Sequence, residues 1–199
     1  QLILLFLLSS SSVTLQCPFG TGHRQQEARS GRMNQIMRIE ALHEFHNAEY
    51  AKDWSERFEP TPERIALFQT MADRINQISS KKLQLLELGV GPGYLAQYLL
   101  RSLNKVSYEG LDFSKPMLEM AKTRLMEFQR RISFRQADLT DPSWFKQISK
   151  QPNVVVTTWT LHDLFNEANI QSAYQKVAKI LPKNGVFLNA DFIKPFESK

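Results

Sequence analysis

The segment Leu83-Gln84-Leu85-Leu86-Glu87-Leu88-Gly89-Val90-Gly91-Pro92-Gly93-Tyr94-Leu95-Ala96 decides the fold of this 199-residue chain. A short Leu-rich run ends at three alternating glycines, and apolar residues at helical spacing follow at once. The pattern predicts a buried strand, a tight glycine turn and the first turn of a helix. Glycines allow positive φ and close approach of a ligand, and the helix start offers free N–H groups and a positive dipole end. The segment is therefore typical of a nucleotide-type binding loop.

Strands and helices are expected to alternate through the rest of the chain. Helical patterns are found at 34–58, from Thr61 to about residue 79, at 94–103, from Ser114 to about residue 128, in a short stretch after Asp141, and from Asn166 to about residue 181. The expected strands are 83–88, 106–111, 132–136, 153–158 and 186–191. This alternation predicts an α/β fold, a Rossmann-like three-layer sandwich with a mostly parallel sheet and helices on both faces.

Two interpretations of the glycine turn are possible, and they differ in the ligand that it would bind. Counted from Gly91, the residues fit the dinucleotide pattern G-x-G-x-x-A, with the acidic Asp112 about 20 residues further on. However, Glu87 would place a carboxylate beside a pyrophosphate, and Pro92 removes a backbone donor that a pyrophosphate needs. Counted from Gly89, the glycines simply alternate after Glu-Leu. A cationic ligand is favoured, and a dinucleotide stays the alternative.

The stretch Glu87–Gly93 resembles the first motif of class I S-adenosylmethionine-dependent methyltransferases. S-adenosylmethionine carries an ammonium and a sulfonium, which suit Glu87. The resemblance covers roughly residues 50–191 and implies methyl transfer to a small molecule with this compound as the donor. Such enzymes usually continue with a helix and an antiparallel hairpin. Only residues 192–199 remain here, so we expect that hairpin to be missing and the last strand to lie near an uncovered edge.

The resemblance also implies a set of donor-binding residues. Glu87, Asp112 and Asp138 fall at the ends of successive expected strands, where ligands of open parallel sheets bind. Asp112 is expected to accept from the ribose hydroxyls and Asp138 from the adenine amino group, while Glu87 acts on the methionine end. The expected donor-binding residues are Glu87, Gly89, Gly91, Gly93, Asp112, Phe113, Met117, Asp138, Leu139 and Thr158.

The stretch Leu161-His162-Asp163-Leu164 follows the fourth expected strand and resembles the ending of that strand in many small-molecule methyltransferases. The Asn/Asp-Pro-Pro-Tyr signature of enzymes that methylate exocyclic or amide nitrogens is absent from this sequence. His162 is the candidate catalytic residue, because an imidazole titrates near neutral pH and can deprotonate an acceptor. A histidine that only caps the loop is the alternative.

The composition of the chain limits the binding partners and metal ions that we expect. The net charge of +5 comes from Lys and Arg scattered along the chain, so no nucleic-acid partner is expected. Cys17 is the sole cysteine, which excludes a disulfide within the chain and a cysteine-based metal site. His43 and His46 share a helical spacing but lack a third ligand at a recognisable spacing. We therefore expect packed or surface histidines and no metal.

The first residues raise a separate question. The apolar run Leu2–Leu8 is too short to span a bilayer, which needs about 20 residues. A signal peptide is the minor alternative, and we favour a start at Met33 in a cytoplasmic protein. The expected organisation is an N-terminal extension outside the fold (1–32), a helical lid (33–60) and the S-adenosylmethionine-binding domain (61–199). Two rival functions stay open, an NAD(P)-dependent oxidoreductase and a non-catalytic binding or partner domain.

Overall fold

The computed structural model describes residues 3–9, 43–78 and 82–192. The strands in these ranges are β1 Ile3–Ser9, β2 Leu83–Leu88, β3 Val106–Asp112, β4 Ile132–Gln136, β5 Val154–Thr158 and β6 Val186–Phe192. The α-helices are α1 Ala48–Arg57, α2 Pro62–Asn76, α3 Tyr94–Ser102, α4 Lys115–Arg124 and α5 Glu167–Ile180. Short 3-10 helices occur at Glu44–His46, Met126–Phe128, Trp144–Gln147 and Leu161–Asp163.

The strands form one sheet in the order β1-β6-β5-β2-β3-β4. Neighbours from β6 to β4 are parallel, and β1 is antiparallel to β6. The expected Rossmann-like fold is therefore confirmed. From β2 the chain builds outward to β3 and β4, then returns to β5 on the other side of β2. Such a reversal opens a crevice at the carboxyl ends of the strands, where open α/β sheets bind their ligands.

Successive side chains of a strand point to opposite faces of the sheet, and here both faces carry apolar residues. In β2, Leu83 and Leu85 pack with α2, α3 and α4 on one face, whereas Leu86 and Leu88 pack with α5 on the other. Glu87 lies on the first of these faces, at the carboxyl end of the central strand. The two cores thus fix the position of that carboxylate.

Three α-helices begin directly after the capping residues that the sequence predicted. The side chains of Thr61, Ser114 and Asn166 accept hydrogen bonds from the N–H groups of Arg64, Met117 and Asn169. Asn47 caps α1 in the same way, through Glu49 and Tyr50. The cap at Asn47 divides the helical pattern expected over 34–58 into a 3-10 turn and α1, and residues 34–42 lie outside the described part.

The segment Ile3–Ser9 differs from its expected place outside the fold. It pairs with β6 over its whole length, with Ile3 opposite Phe192 and Ser9 opposite Val186. An edge strand offers unpaired N–H and C=O groups, and an extended apolar run satisfies them by adding a strand. The expected uncovered edge of β6 is thus covered by β1. Residues 10–42 and 193–199 lie outside the described part, which ends with β6 at Phe192, so the missing hairpin stays a prediction.

None of the helices in the described ranges has the length and apolar character needed to cross a membrane.

Candidate active site

A cavity of about 480 Å³ opens at the carboxyl ends of the strands. Its volume is within the range of roughly 300–1,000 Å³ that is common for small-molecule sites. Nine of the expected site residues line it, namely Glu87, Gly89, Gly91, Asp112, Phe113, Met117, Leu139, Thr158 and His162. Gly93 and Asp138 were also expected there and are not among the lining residues.

Two glycines of the loop have different roles. Gly91 has φ +51°, and a Cβ added to it would meet nothing within 4 Å, so its side faces open cavity space. Gly93 has φ +87° and caps α3, and a Cβ there would lie 3.3 Å from Ala121. Gly91 therefore leaves room for a ligand, whereas Gly93 lets α3 pack closely against α4. Spacing in the sequence could not separate these roles, because both glycines require positive φ.

Glu87 lies buried beneath the glycine loop, with 1% of its surface exposed. The hydroxyl of Tyr108 donates to its Oε2 at 2.8 Å. Burial raises the pKa of Glu87 to about 8, the Tyr108 hydrogen bond opposes this rise, and the nearby Asp112 adds to it. A cation in the cavity would favour the ionised form and lower this pKa. The site is thus built so that a positive ligand and the Glu87 charge stabilise each other.

Asp112 holds the loop through its two carboxylate oxygens. Oδ2 accepts from the Gly91 N–H at 2.8 Å and Oδ1 from the Ser114 N–H at 2.9 Å. Burial raises its pKa to about 6, and these backbone hydrogen bonds oppose the rise. Asp112 is therefore mostly ionised at neutral pH. A carboxylate accepts about four hydrogen bonds, so each oxygen retains capacity for a ligand hydroxyl.

Asp138 is placed differently from Glu87 and Asp112. Its Oδ1 accepts from both the N–H and the hydroxyl of Thr140, at 2.7 and 2.6 Å. Its neighbours Ala137 and Leu139 line the cavity instead. The strand-end rule indicated this edge of the sheet, but β4 ends at Gln136 and Asp138 begins a turn in which the Asp141 N–H donates to its carbonyl.

The segment before α1 lines the cavity beside Phe113. The ring of Phe113 contacts His43 and His46, with centroids 5.0 and 5.3 Å apart. The hydroxyl of Ser114 donates to the carbonyl of Phe45 at 2.5 Å and joins this segment to α4. Both histidines pack on an aromatic ring, and no group of three or more candidate metal ligands occurs within the described ranges.

His162 forms a pair with Asp191 that sequence reasoning missed. Its ring Nδ1 lies 2.5 Å from Asp191 Oδ1, and its backbone N–H donates to Oδ2 at 3.1 Å. The hydrogen bond to Asp191 raises the pKa of His162, and burial opposes the rise. On the other side, Nε2 lies 3.2 Å from the exposed carboxylate of Asp163. Asp191 ends the last expected strand, so the rule that selected the other acidic residues would also have found it.

The sequence model of the family described as "Methyltransferase domain" matches residues 85–185 of the chain, just over half of its length. This chain belongs to that family. The match runs from β2 to the turn before β6 and includes the glycine loop, Asp112 and His162. S-adenosylmethionine is the methyl donor of these methyltransferases, so the dinucleotide alternative is not supported.

Curated relatives of this methyltransferase domain have a described activity. The chain is 30% identical over 122 residues to a malonyl-[acyl-carrier protein] O-methyltransferase of Priestia megaterium, covering 59% of this chain and 41% of the relative. It is also 30% identical over 100 residues to the protein of the same name from Brevibacillus brevis, covering 47% and 36%. The chain thus spans less than half the length of these curated relatives.

Solved structures show the same fold at lower identity. A putative S-adenosylmethionine-dependent methyltransferase of Methanococcus maripaludis superposes with a TM-score of 0.57 at 19% identity, over 84% of this chain and 67% of that one. An amino pentose methyltransferase of Micromonospora echinaspora with bound S-adenosylmethionine gives 0.57 at 20% identity, over 74% and 57%. These likenesses concern the fold of the methyltransferase domain.

Proposed function

We propose that this methyltransferase domain transfers the methyl group of S-adenosylmethionine to a small-molecule acceptor. The observation that carries the proposal is the buried carboxylate of Glu87 beneath a glycine loop whose Gly91 faces open cavity space. A cationic donor favours the ionised form of Glu87 and is stabilised by it, whereas linked phosphates would favour the neutral form and gain no opposite charge.

The residues of the loop fit the parts of the donor. Asp112 is placed to accept hydrogen bonds from ribose hydroxyls, and Phe113, Met117 and Leu139 offer apolar surface to the adenine. The N-terminus of α3 has no side-chain cap and suits the carboxylate of the methionine end. Glu87 balances the positive charge on that end. When bound, the donor supplies an electrophilic methyl group on a positively charged sulfur.

In the reaction, a lone pair of the acceptor forms a bond to the methyl carbon while the carbon–sulfur bond breaks and its electron pair stays on sulfur. The chain's main contribution is alignment of the two reactants, which accounts for roughly 7–11 kcal/mol of a barrier in favourable cases. We propose that His162 accepts the acceptor's proton at Nε2. Asp191 would hold the imidazole in the required tautomer through Nδ1. Aspartate-held histidines of this kind are oriented bases, and the imidazole must be neutral to act as one.

The cellular location of the protein can be inferred from its methyl donor. S-adenosylmethionine is an intracellular metabolite, and we propose a cytoplasmic location on that ground. The malonyl-[acyl-carrier protein] named for the curated relatives is one acceptor to include in any screen, because those proteins are 30% identical to this chain over 122 and 100 residues.

The experiment that tests the function is a transfer assay. The purified chain is incubated with S-adenosylmethionine carrying a labelled methyl group and, in separate reactions, with a metabolite extract and with malonyl-[acyl-carrier protein]. Label is expected in an acceptor fraction, together with S-adenosylhomocysteine. Donor binding without transfer to any fraction would instead support the non-catalytic alternative.

A further inference from the structure

Aromatic side chains form a wall along one part of the cavity. The rings of Trp54 and Phe58 are stacked with centroids 4.5 Å apart, and those of Phe68 and Trp159 lie 6.2 Å apart. Arg64 joins the two pairs, because its guanidinium carbon lies 5.2 Å from the centre of the Phe58 ring and 4.8 Å from that of Trp159. All five side chains line the cavity. We call the four aromatic residues Trp54, Phe58, Phe68 and Trp159 the aromatic wall.

The wall depends on an unusual backbone turn after β5. Trp159 has φ +50°, a conformation that a bulky residue adopts rarely. Its N–H donates to the carbonyl of Ala190 at 3.0 Å, which ties the turn to β6. The next residue, Thr160, sits where a Cβ on Gly89 would be, at 2.3 Å from that position. Trp159 is therefore held beside the glycine loop, where we propose that the donor binds.

Arg64 has no anionic partner in the described part of the chain. Its Nη1 donates to the carbonyl of Phe58 at 3.0 Å, and no ion pair to a carboxylate is found for it within residues 43–78 and 82–192. The acidic residues that line the cavity all contact other groups: Glu44 with the hydroxyl of Tyr50, Glu87 with Tyr108, Asp112 with backbone N–H groups and Asp163 with His162.

We propose that Arg64 binds a carboxylate on the acceptor, and that the aromatic wall holds the acceptor's flat apolar body. A guanidinium offers five donors in a planar fork that matches a carboxylate and also stacks on aromatic rings. The acceptor class is therefore a small carboxylic acid with an aromatic or similarly flat body. This inference rests on the proposed function.

The carboxylate serves as the anchor and a different atom receives the methyl group. A forked pair with Arg64 occupies lone pairs on both carboxylate oxygens, and the displacement needs an accessible lone pair on the attacking atom. A hydroxyl or amine elsewhere on the same molecule satisfies that need, and His162 can take its proton.

The test compares two probes that differ only in charge, 4-hydroxyphenylacetate and 4-hydroxyphenylacetamide. Their binding is measured by calorimetry to the chain saturated with S-adenosylhomocysteine. The acid should bind about tenfold tighter than the amide, since a charge-assisted pair is about twice as strong as a neutral one and 1.4 kcal/mol corresponds to a factor of ten. Arg64→Gln should remove this preference. Arg74→Gln is the matched control, because Arg74 is an exposed residue of the same helix and contacts Gln77.

Three results would overturn the inference: equal affinity of acid and amide for the wild-type chain, no binding of either probe, or an unchanged acid affinity in Arg64→Gln. Binding of S-adenosylhomocysteine reports on the proposed function separately. A wild-type chain that binds it without preferring the acid refutes only the carboxylate assignment. A chain that does not bind it refutes the proposed function itself. If Arg64→Gln loses its fold, the wild-type comparison of acid with amide decides.

Discussion

The two sides of the cavity are built in different ways. The proposed donor side consists of strand ends and a loop whose backbone is fixed by Asp112, with Glu87 buried beneath it. The aromatic wall comes from α1, α2 and the turn after β5, and side-chain contacts hold it together. Parallel strands place their carboxyl ends at one edge of the sheet, whereas connecting segments such as the turn after β5 vary more between related proteins. The difference teaches that substitutions in the loop should act mainly on donor binding, and substitutions in α1 and α2 mainly on the choice of acceptor.

The largest effect is expected from Gly91→Val. A side chain there would fill cavity space that is open in the structure, and a β-branched residue at φ +51° is strained by about 1–3 kcal/mol. Donor binding should fall below detection in a titration while circular dichroism still shows folded protein. Gly93→Val is the matched variant, because its clash lies with Ala121 in the core, so it should lower the melting temperature more. Wild-type affinity in Gly91→Val would show that the loop does not face the donor.

A smaller effect is expected from removing one charge at the sheet edge. Asp112→Asn should weaken donor binding about ten- to a hundredfold, because a hydrogen bond to a charged group is worth about 1.5–3 kcal/mol. Asp138→Asn should cost less, since that side chain contacts Thr140 and is not among the cavity-lining residues. Direct titration with S-adenosylmethionine measures both. An effect of Asp138→Asn equal to that of Asp112→Asn would mean that the loop after β4 turns toward the donor.

Proton release is the next expected signature. The pKa of Glu87 is about 8 without a ligand, so the group is mostly protonated at pH 7. A cationic donor lowers this pKa, so binding releases up to about one proton and affinity rises with pH until about pH 8. Calorimetry in two buffers of different ionisation enthalpy counts the protons.

Glu87→Gln provides the control for that experiment. The donor's own amino group titrates near pH 7.7–8.0 and contributes equally to wild type and variant. The difference between them isolates Glu87. Equal proton counts would show that Glu87 does not sense the donor's charge.

The smallest effect is expected at the histidine pair. Asp191 raises the pKa of His162, and a general base acts only when it is neutral, so kcat/KM should rise with pH through a pKa above the ordinary value. In Asp191→Asn this rise should move to lower pH. Asp163→Asn should shift it less, because Asp163 is the more exposed partner. A pH profile identical in all three proteins would exclude His162 as the base.

Local signals predicted most of the fold. The capping side chains at Thr61, Ser114 and Asn166 marked helix starts correctly, since a cap acts within three or four residues. Strand ends placed Glu87 and Asp112 at the same edge for a comparable reason, because parallel strands share a direction. The strand Ile3–Ser9 was missed, since its partner β6 is more than 170 residues away in the sequence.

Contacts between distant elements could not be predicted from spacing. The hydrogen bond of Tyr108 to Glu87 depends on the register of β2 and β3, and the pair of His162 with Asp191 joins residues 29 positions apart. Arg64 fits an ordinary helical pattern, and its place between Phe58 and Trp159 follows from packing alone. The sequence therefore indicated most of the residues that line the cavity at the strand ends and hardly any of the aromatic wall.

The most direct measurement of the central claim is a side-by-side titration of the purified chain with S-adenosylmethionine and with NAD at neutral pH. The account predicts saturable binding of S-adenosylmethionine at micromolar concentration and no detectable binding of NAD, because only a cationic ligand gains the charge of Glu87 and Pro92 removes a backbone donor that linked phosphates need. Binding of NAD in preference to S-adenosylmethionine would contradict it.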